Sequence, residues 1–169
     1  LGGLPDGAMA AELALDVLGD SVLRNRDPTR NPTDTLRRAI AEAQSCLLQA
    51  NREAGIWSGT TIAAVLVTHQ WVAMAHVGDS RIYALRAGRI VYCSADHSLV
   101  GEMVRRGELS RRAATDHPRR NVLLHCLGLD RPVEPEVAAF PLEALEQVLL
   151  ASDGVWNAWD RGSLDPSET

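Results

Sequence analysis

The period of the apolar positions divides the chain into a helical first third and a strand-rich remainder. Ala8 to Leu18 is rich in Ala and Leu, with Glu12 and Asp16 four apart, which predicts a helix buried along one side and ended by Gly19. A loop composition follows from Asn25 to Pro32, and Asn31-Pro32 supplies an N-cap and a first helical residue for what comes next. There Leu36, Ile40, Ala43 and Leu47 recur at helical spacing, and Gly55 stands where a C-terminal glycine belongs.

From Thr60 the period changes. Ile62 to Val67 and Trp71 to Val77 are short apolar runs with several β-branched residues, split by Thr68-His69-Gln70, and they predict a hairpin. Arg81 to Leu85 and Arg89 to Tyr92, split by Ala87-Gly88, predict a second with a tight turn. Four sequential strands imply an antiparallel sheet. Ser98 caps a short helix carrying Val100, Met103 and Val104, with Gly107 as its stop. Arg111 to Arg120 reads as loop or broken helix; Val122 to Leu127, Val133 to Ala138 and Gln147 to Ala151 read as further strands. This order is not the strand-helix alternation of a parallel sheet. The expected class is α+β, with helices packed outside antiparallel sheets, in a single domain over residues 1–169.

Aromatic residues make up only 4% of the chain, so the core must be built from Ala, Val, Leu and Ile. A net charge of −5 argues against the basic surface that a phosphate backbone requires, and nucleic acid is not an expected partner. Cys46, Cys93 and Cys126 are odd in number and widely spaced, which suggests neither a CxxC zinc pattern nor a disulfide framework, and points to a reducing, cytoplasmic setting. No apolar run approaches the roughly 18 residues of a membrane span, and the N-terminus lacks the basic start of a signal peptide. No membrane segment is expected in this chain.

Asp153 follows the apolar run Val148 to Ala151 and precedes Gly154, which delivers a carboxylate at the end of a buried strand with a flexible turn behind it. Mg²⁺ and Mn²⁺ are held by such oxygens converging from different segments. Taken alone, Asp-Gly is more often an ordinary turn. Asp96-His97 stands in the same arrangement, after one strand and before the helix opening at Ser98, with a helix-entry charge as its simpler reading. The five histidines show no paired ligand spacing, so zinc is disfavoured. Ser80 in Gly78-Asp79-Ser80-Arg81 invites comparison with the nucleophile of GDSL hydrolases, but it sits mid-chain between strands and no late Asp-x-x-His follows. Six arginines between Arg105 and Arg120 read first as solvated surface and second as a basic rim for phosphorylated segments.

The order of these signals is more specific than any one of them. Gly59-Thr60-Thr61, then His76-Val77-Gly78-Asp79-Ser80-Arg81-Ile82-Tyr83, then Asp96-His97-Ser98, then His117-Pro118 with Asn121, then Ala151-Ser152-Asp153-Gly154-Val155-Trp156, resembles the bacterial PPM family of metal-dependent serine/threonine protein phosphatases. The resemblance implies an α-β-β-α sandwich, two packed antiparallel β-sheets flanked by α-helices, with two or three Mn²⁺ or Mg²⁺ ions in a cleft at one end. On it, Asp153 matches the aspartate that binds a metal of the central pair and reaches a third ion, and Asp96 matches the aspartate of that third site. Asn121 lies in the stretch similar to the flap beside the cleft, a candidate for the third metal, while Gly78 to Arg81 and Gly59 to Thr61 match structural turns. The implied reaction is attack of a metal-acidified water on phosphoserine or phosphothreonine, with no enzyme-bound phosphate. The implied partners are phosphorylated proteins, substrates of a serine/threonine kinase.

Leu1-Gly2-Gly3 is similar to the tail of the family's Asp-Gly-x-Gly-Gly motif, whose bridging aspartate would precede Leu1, and nothing after Asp160 matches the closing Asp-Asn. On the resemblance, a complete dinuclear site therefore draws on residues outside the 169 given. The alternative is a catalytically silent phosphatase-like module that binds a phosphoprotein or a small effector.

Overall fold

A computed structural model describes residues 6–25 and 27–161. Two helices come first, α1 (Gly7–Arg24) and α2 (Pro32–Ala54). Asn31 caps α2 by accepting from the Asp34 amide at 3.2 Å, Pro32 opens it, and Gly55 closes it with φ of 64°. The strands β1 (Ile62–Val67), β2 (Trp71–Val77), β3 (Arg81–Arg86) and β4 (Arg89–Cys93) follow, then α3 (Leu99–Arg105), α4 (Arg111–Thr115), β5 (Glu136–Pro141), β6 (Gln147–Ala151) and α5 (Asp153–Arg161).

The strands form two three-stranded antiparallel sheets, ordered β1-β2-β5 and β4-β3-β6. Strand alternation sends β2 side chains both ways. Ala73, Ala75 and Val77 join Leu36, Ile40 and Leu47 of α2 in one core, while Val72 and Met74 join Ile82 and Ala84 of β3 in a second core between the sheets. Ala10 and Ala14 of α1 are fully buried in the first core, where their small side chains bring α1 close to α2. Burying each Leu, Ile or Met of these cores contributes about 1.5–3 kcal/mol. The chain's single phenylalanine, Phe140, meets Tyr92 edge-on across the inter-sheet core with ring centroids 5.7 Å apart. The layers are therefore helix, sheet, sheet, with α3 to α5 at the second sheet's side, in agreement with the expected class. No helix among the described residues is long and apolar enough to cross a membrane.

Several expectations are corrected. The four sequential strands do not share a sheet, because the β2–β3 turn at Gly78 to Ser80 crosses from one layer to the other. Helix α1 runs through Gly19 to Arg24; an interior glycine costs only about 1 kcal/mol, and the packing of α1 on α2 outweighs it. Val122 to Leu127 is not a strand but two isolated bridges, Ser98 to Leu123 and Thr60 to Leu127. The amides of Leu124 and His125 both converge on the His97 carbonyl, at 2.8 and 3.3 Å, so the backbone turns instead of extending. The strand expected from Val133 begins at Glu136, immediately after Pro135, which has no amide for a ladder.

Gly78 is the tightest point of the layer crossing. Its φ is +113°, and a Cβ there would lie 2.3 Å from Cγ2 of Thr61. Gly78→Ala is expected to destabilise the fold by about 3 kcal/mol, from left-handed strain plus overpacking. Urea unfolding monitored by circular dichroism measures it, and a change below about 0.5 kcal/mol would show that the turn relaxes freely.

Candidate metal centre

Strand register brings three aspartates to one end of the sandwich. Arg81 of β3 pairs with Ala151 of β6, and Tyr83 pairs with Cys93 of β4, so the start of β3 coincides with the ends of β4 and β6. Asp79 lies in the turn leading into β3, Asp96 follows β4, and Asp153 opens α5 directly after β6. The carboxylates of Asp96 and Asp153 are both close enough to act on that of Asp79. Burial first, and then the negative charges of Asp96 and Asp153, push the Asp79 carboxyl up to about 6.

Each carboxylate is held differently. Asp153 is exposed, and its Oδ1 accepts from the Gly154 amide at 2.8 Å. Asp96 is partly buried and gripped at both oxygens by Arg81, Nε to Oδ1 at 2.8 Å and Nη2 to Oδ2 at 2.9 Å. Burial alone would lower the Arg81 pKa, but the hydrogen bonds and charge of Asp96 outweigh it and leave the pKa above its ordinary value. The guanidinium also stacks 3.7 Å over the Trp156 ring, whose Nε1–H donates to the Asp79 carbonyl at 2.8 Å. Close packing fixes the Asp96 main chain as well, since a Cβ at Gly101 of α3 would lie 2.4 Å from its carbonyl oxygen.

Sequence reasoning assigned Gly78 to Arg81 to structural turns and so passed over Asp79 and Arg81. The signal was present: Asp79 is a carboxylate beside a glycine at the end of a buried strand, the feature that singled out Asp153. Ser80 is structural, its hydroxyl bonded to that of Thr61 at 2.9 Å. Asn121 is exposed and sits one residue before Val122, whose carbonyl accepts from the Leu99 amide at 2.8 Å. That bond tethers the candidate flap to the start of α3, just after Asp96. Leu1-Gly2-Gly3 lies outside the described residues.

The histidines, unpaired in sequence, do meet in space. His76, His97 and Glu136 offer ligand atoms within 4.8 Å of one another, and the rings of His76 and His97 stack at 4.6 Å. Their hydrogen bonds favour a structural role. Nδ1 of His97 accepts from the Gly78 amide at 3.3 Å, which occupies the lone pair of the neutral ring, and Oε1 of Glu136 accepts from the Tyr92 hydroxyl at 2.8 Å. His97 is kept neutral by burial, with its pKa lowered to about 4. Its own amide donates to the Gly78 carbonyl at 2.8 Å, so His97 braces the turn next to Asp79 from two sides. His76 Nδ1 is buried without a partner, and among the described residues it shares this with Asn157 Oδ1. A concavity of about 490 Å³ lies at the start of α2 between Asn25, Asp27, Asn31 and Arg38, and shares no residue with the acidic cluster.

The raised Asp79 pKa has a measurable consequence without metal. A carboxyl whose folded pKa stands above its ordinary 3.8 favours folding most below that value, and this contribution is lost as pH rises through about 6. In a chelator, the thermal midpoint is expected to fall across this window by more in the wild type than in Asp79→Asn. Equal slopes would show that Asp79 is not under this repulsion.

The comparisons agree with this architecture. A family model described as Protein phosphatase 2C matches residues 7–111. The serine/threonine phosphatase stp of Listeria welshimeri is 36% identical over 161 residues, covering 93% of this chain and 64% of that protein. Among solved structures, the serine/threonine phosphatase Stp1 from Staphylococcus aureus superposes with a TM-score of 0.81 at 29% identity, over 93% of this chain and 63% of that one. The catalytic domain of serine threonine protein phosphatase PstP, in complex with 2 manganese ions, superposes at 0.77 with 26% identity, over 93% and 65%. This chain thus spans about 64% of the length of the Listeria relative. By the family match and the shared two-sheet fold, the chain belongs to the protein phosphatase 2C family.

Proposed function

We propose that the protein removes phosphate from phosphoserine and phosphothreonine in proteins, and that Asp79, Asp96 and Asp153 help to hold its Mn²⁺ or Mg²⁺ ions. The observation that carries this reading is the convergence of three carboxylates, one with its pKa raised to about 6 by burial and by the other two. Repulsion of this kind is relieved by a hard dication, whose oxygen preference matches the donors present. Asp153 and Asp79 offer carboxylates without an ion-pair partner among the described contacts. Asp96 keeps lone pairs beyond those taken by Arg81, and Arg81 fixes where they point. Asn121 is the candidate contribution of the flap to a third ion.

When bound, such ions acidify a water and neutralise phosphoryl oxygens. The residues of this chain orient and repel. Asp79 and Asp153 set the negative potential, while the Ser80 hydroxyl is bonded to that of Thr61 and is not required as a nucleophile. Substrate attraction falls to the basic helix α4, which packs against both α3 and α5 and exposes Arg111 and Arg112. Arg105 and Arg106 are instead paired with Glu102. The proposed substrates are proteins phosphorylated by a serine/threonine kinase, and the proposed setting is the cytoplasm. The test is phosphate release from a phosphothreonine peptide by the full-length protein, expected with Mn²⁺ and absent in excess EDTA. No release at any Mn²⁺ concentration would sink the proposal.

A further inference from the structure

Asp79, Asp96 and Asp153 sit on three separate segments, and the charges of the other two repel that of Asp79, so something must hold those segments together. We propose that Trp156 is a positioning residue for the acidic cluster, locking the helix that begins with Asp153 to the turn that carries Asp79. The inference rests on reading that cluster as the ion site.

Trp156 stands three residues after Asp153, on the same face of α5. Its indole N–H donates to the main-chain carbonyl of Asp79 at 2.8 Å, and its ring face carries the Arg81 guanidinium at 3.7 Å. That guanidinium in turn grips both oxygens of Asp96. One side chain therefore touches the Asp79 main chain, backs the cation that orients Asp96, and belongs to the helix of Asp153. The first turn of α5 has little else to fix it, since Ser152, Asp153, Gly154 and Val155 are all exposed. Its other hydrogen bonds are local, the Val155 and Trp156 amides donating to the Ser152 carbonyl at 3.0 and 3.1 Å. These shape the turn but do not say where it sits. The Trp156 bond to Asp79 spans the gap between β6 and the β2–β3 turn.

Phenylalanine at position 156 keeps a ring face for Arg81 but removes the N–H, whereas alanine removes both. The test is direct Mn²⁺ binding to the full-length protein, read from the electron paramagnetic resonance of free Mn²⁺. Trp156→Phe is expected to weaken binding about tenfold, the lower end of what partners that orient ligands contribute, and Trp156→Ala by more. At saturating Mn²⁺, kcat of the Phe variant is expected within about twofold of wild type, because the ligands themselves are intact. A purely structural tryptophan would lower the thermal midpoint and leave Mn²⁺ affinity unchanged, and that result overturns the proposal. If Trp156→Phe fails to fold, Arg81→Lys provides the second variant: it keeps the charge, loses the planar fork, and must also weaken Mn²⁺ binding. A wild type that binds Mn²⁺, with weakened Trp156→Phe but no phosphopeptide hydrolysis, sinks the proposed function and leaves this inference standing. A Mn²⁺-dependent phosphatase whose Trp156→Phe binds like wild type sinks this inference alone. A wild type without Mn²⁺ affinity sinks both.

Discussion

Asp153→Asn in the full-length protein is expected to lower Mn²⁺-dependent hydrolysis of a phosphothreonine peptide at least about a hundredfold, since even partners one shell further out cost up to that much. The substitution is nearly isosteric. An asparagine oxygen can still accept from the Gly154 amide, as Oδ1 of Asp153 does at 2.8 Å, so the start of α5 keeps its local bond. What is lost is one negative charge at an exposed position that acts on Asp79. In the metal-free protein that loss relieves repulsion and should not destabilise the fold. A combined result of retained thermal stability and lost turnover would therefore assign Asp153 to ion binding and not to folding. Ser80→Ala is the contrasting variant. It removes a hydroxyl bonded to Thr61 and should leave most of the activity, because in the proposed reaction the attacking group is water. Full activity in Asp153→Asn, or none in Ser80→Ala, would refute a water nucleophile held by these aspartates.

How far the sequence carried can be judged element by element. Helix α2 was legible because its periodic apolar face and both caps, Asn31-Pro32 and Gly55, agree with one another. The two hairpins were legible from alternation and turn residues. Their division between two sheets was not, because strand pattern reports which side chains are buried and not which neighbour buries them. β2 is buried on both faces, and a run of that kind reads the same in one sheet or between two layers. The stretch from Val122 to Leu127 was misread as a strand because its residues serve two isolated bridges and a carbonyl shared by two amides, contacts with no periodicity. For the candidate site, Asp96 and Asp153 were singled out by their place after strands. Asp79 has that place too and was set aside as a turn. The part that no local pattern could show is the Arg81 grip on Asp96, which joins residues 15 apart in sequence through a fork that only tertiary packing defines.

That grip supports the second large effect, Arg81→Met measured in a chelator. The side chains of Arg81 and Asp96 are 17% and 12% exposed, so the pair is largely removed from water. Taking away the guanidinium leaves the Asp96 carboxylate without its two charge-assisted bonds, in a cluster already crowded by Asp79 and Asp153. Breaking a buried pair from one side costs about 3–5 kcal/mol. The apolar stem of methionine keeps most of the volume, so little of this loss is packing. For a domain of this size the thermal midpoint should fall on the order of 10 °C, at about 2–4 °C per kcal/mol. Arg81→Met combined with Asp96→Leu should recover most of the loss, because removing both partners leaves no orphaned charge. Urea denaturation of the four proteins closes the cycle. If Arg81→Met alone unfolds within about 0.5 kcal/mol of wild type, the pair behaves as a solvated surface bridge. Recovery in the double variant separates the two roles of Asp96. On the proposed function, ion binding needs its carboxylate while the fold needs it only as a partner for Arg81, so the double variant should be stable and still bind Mn²⁺ more weakly than wild type.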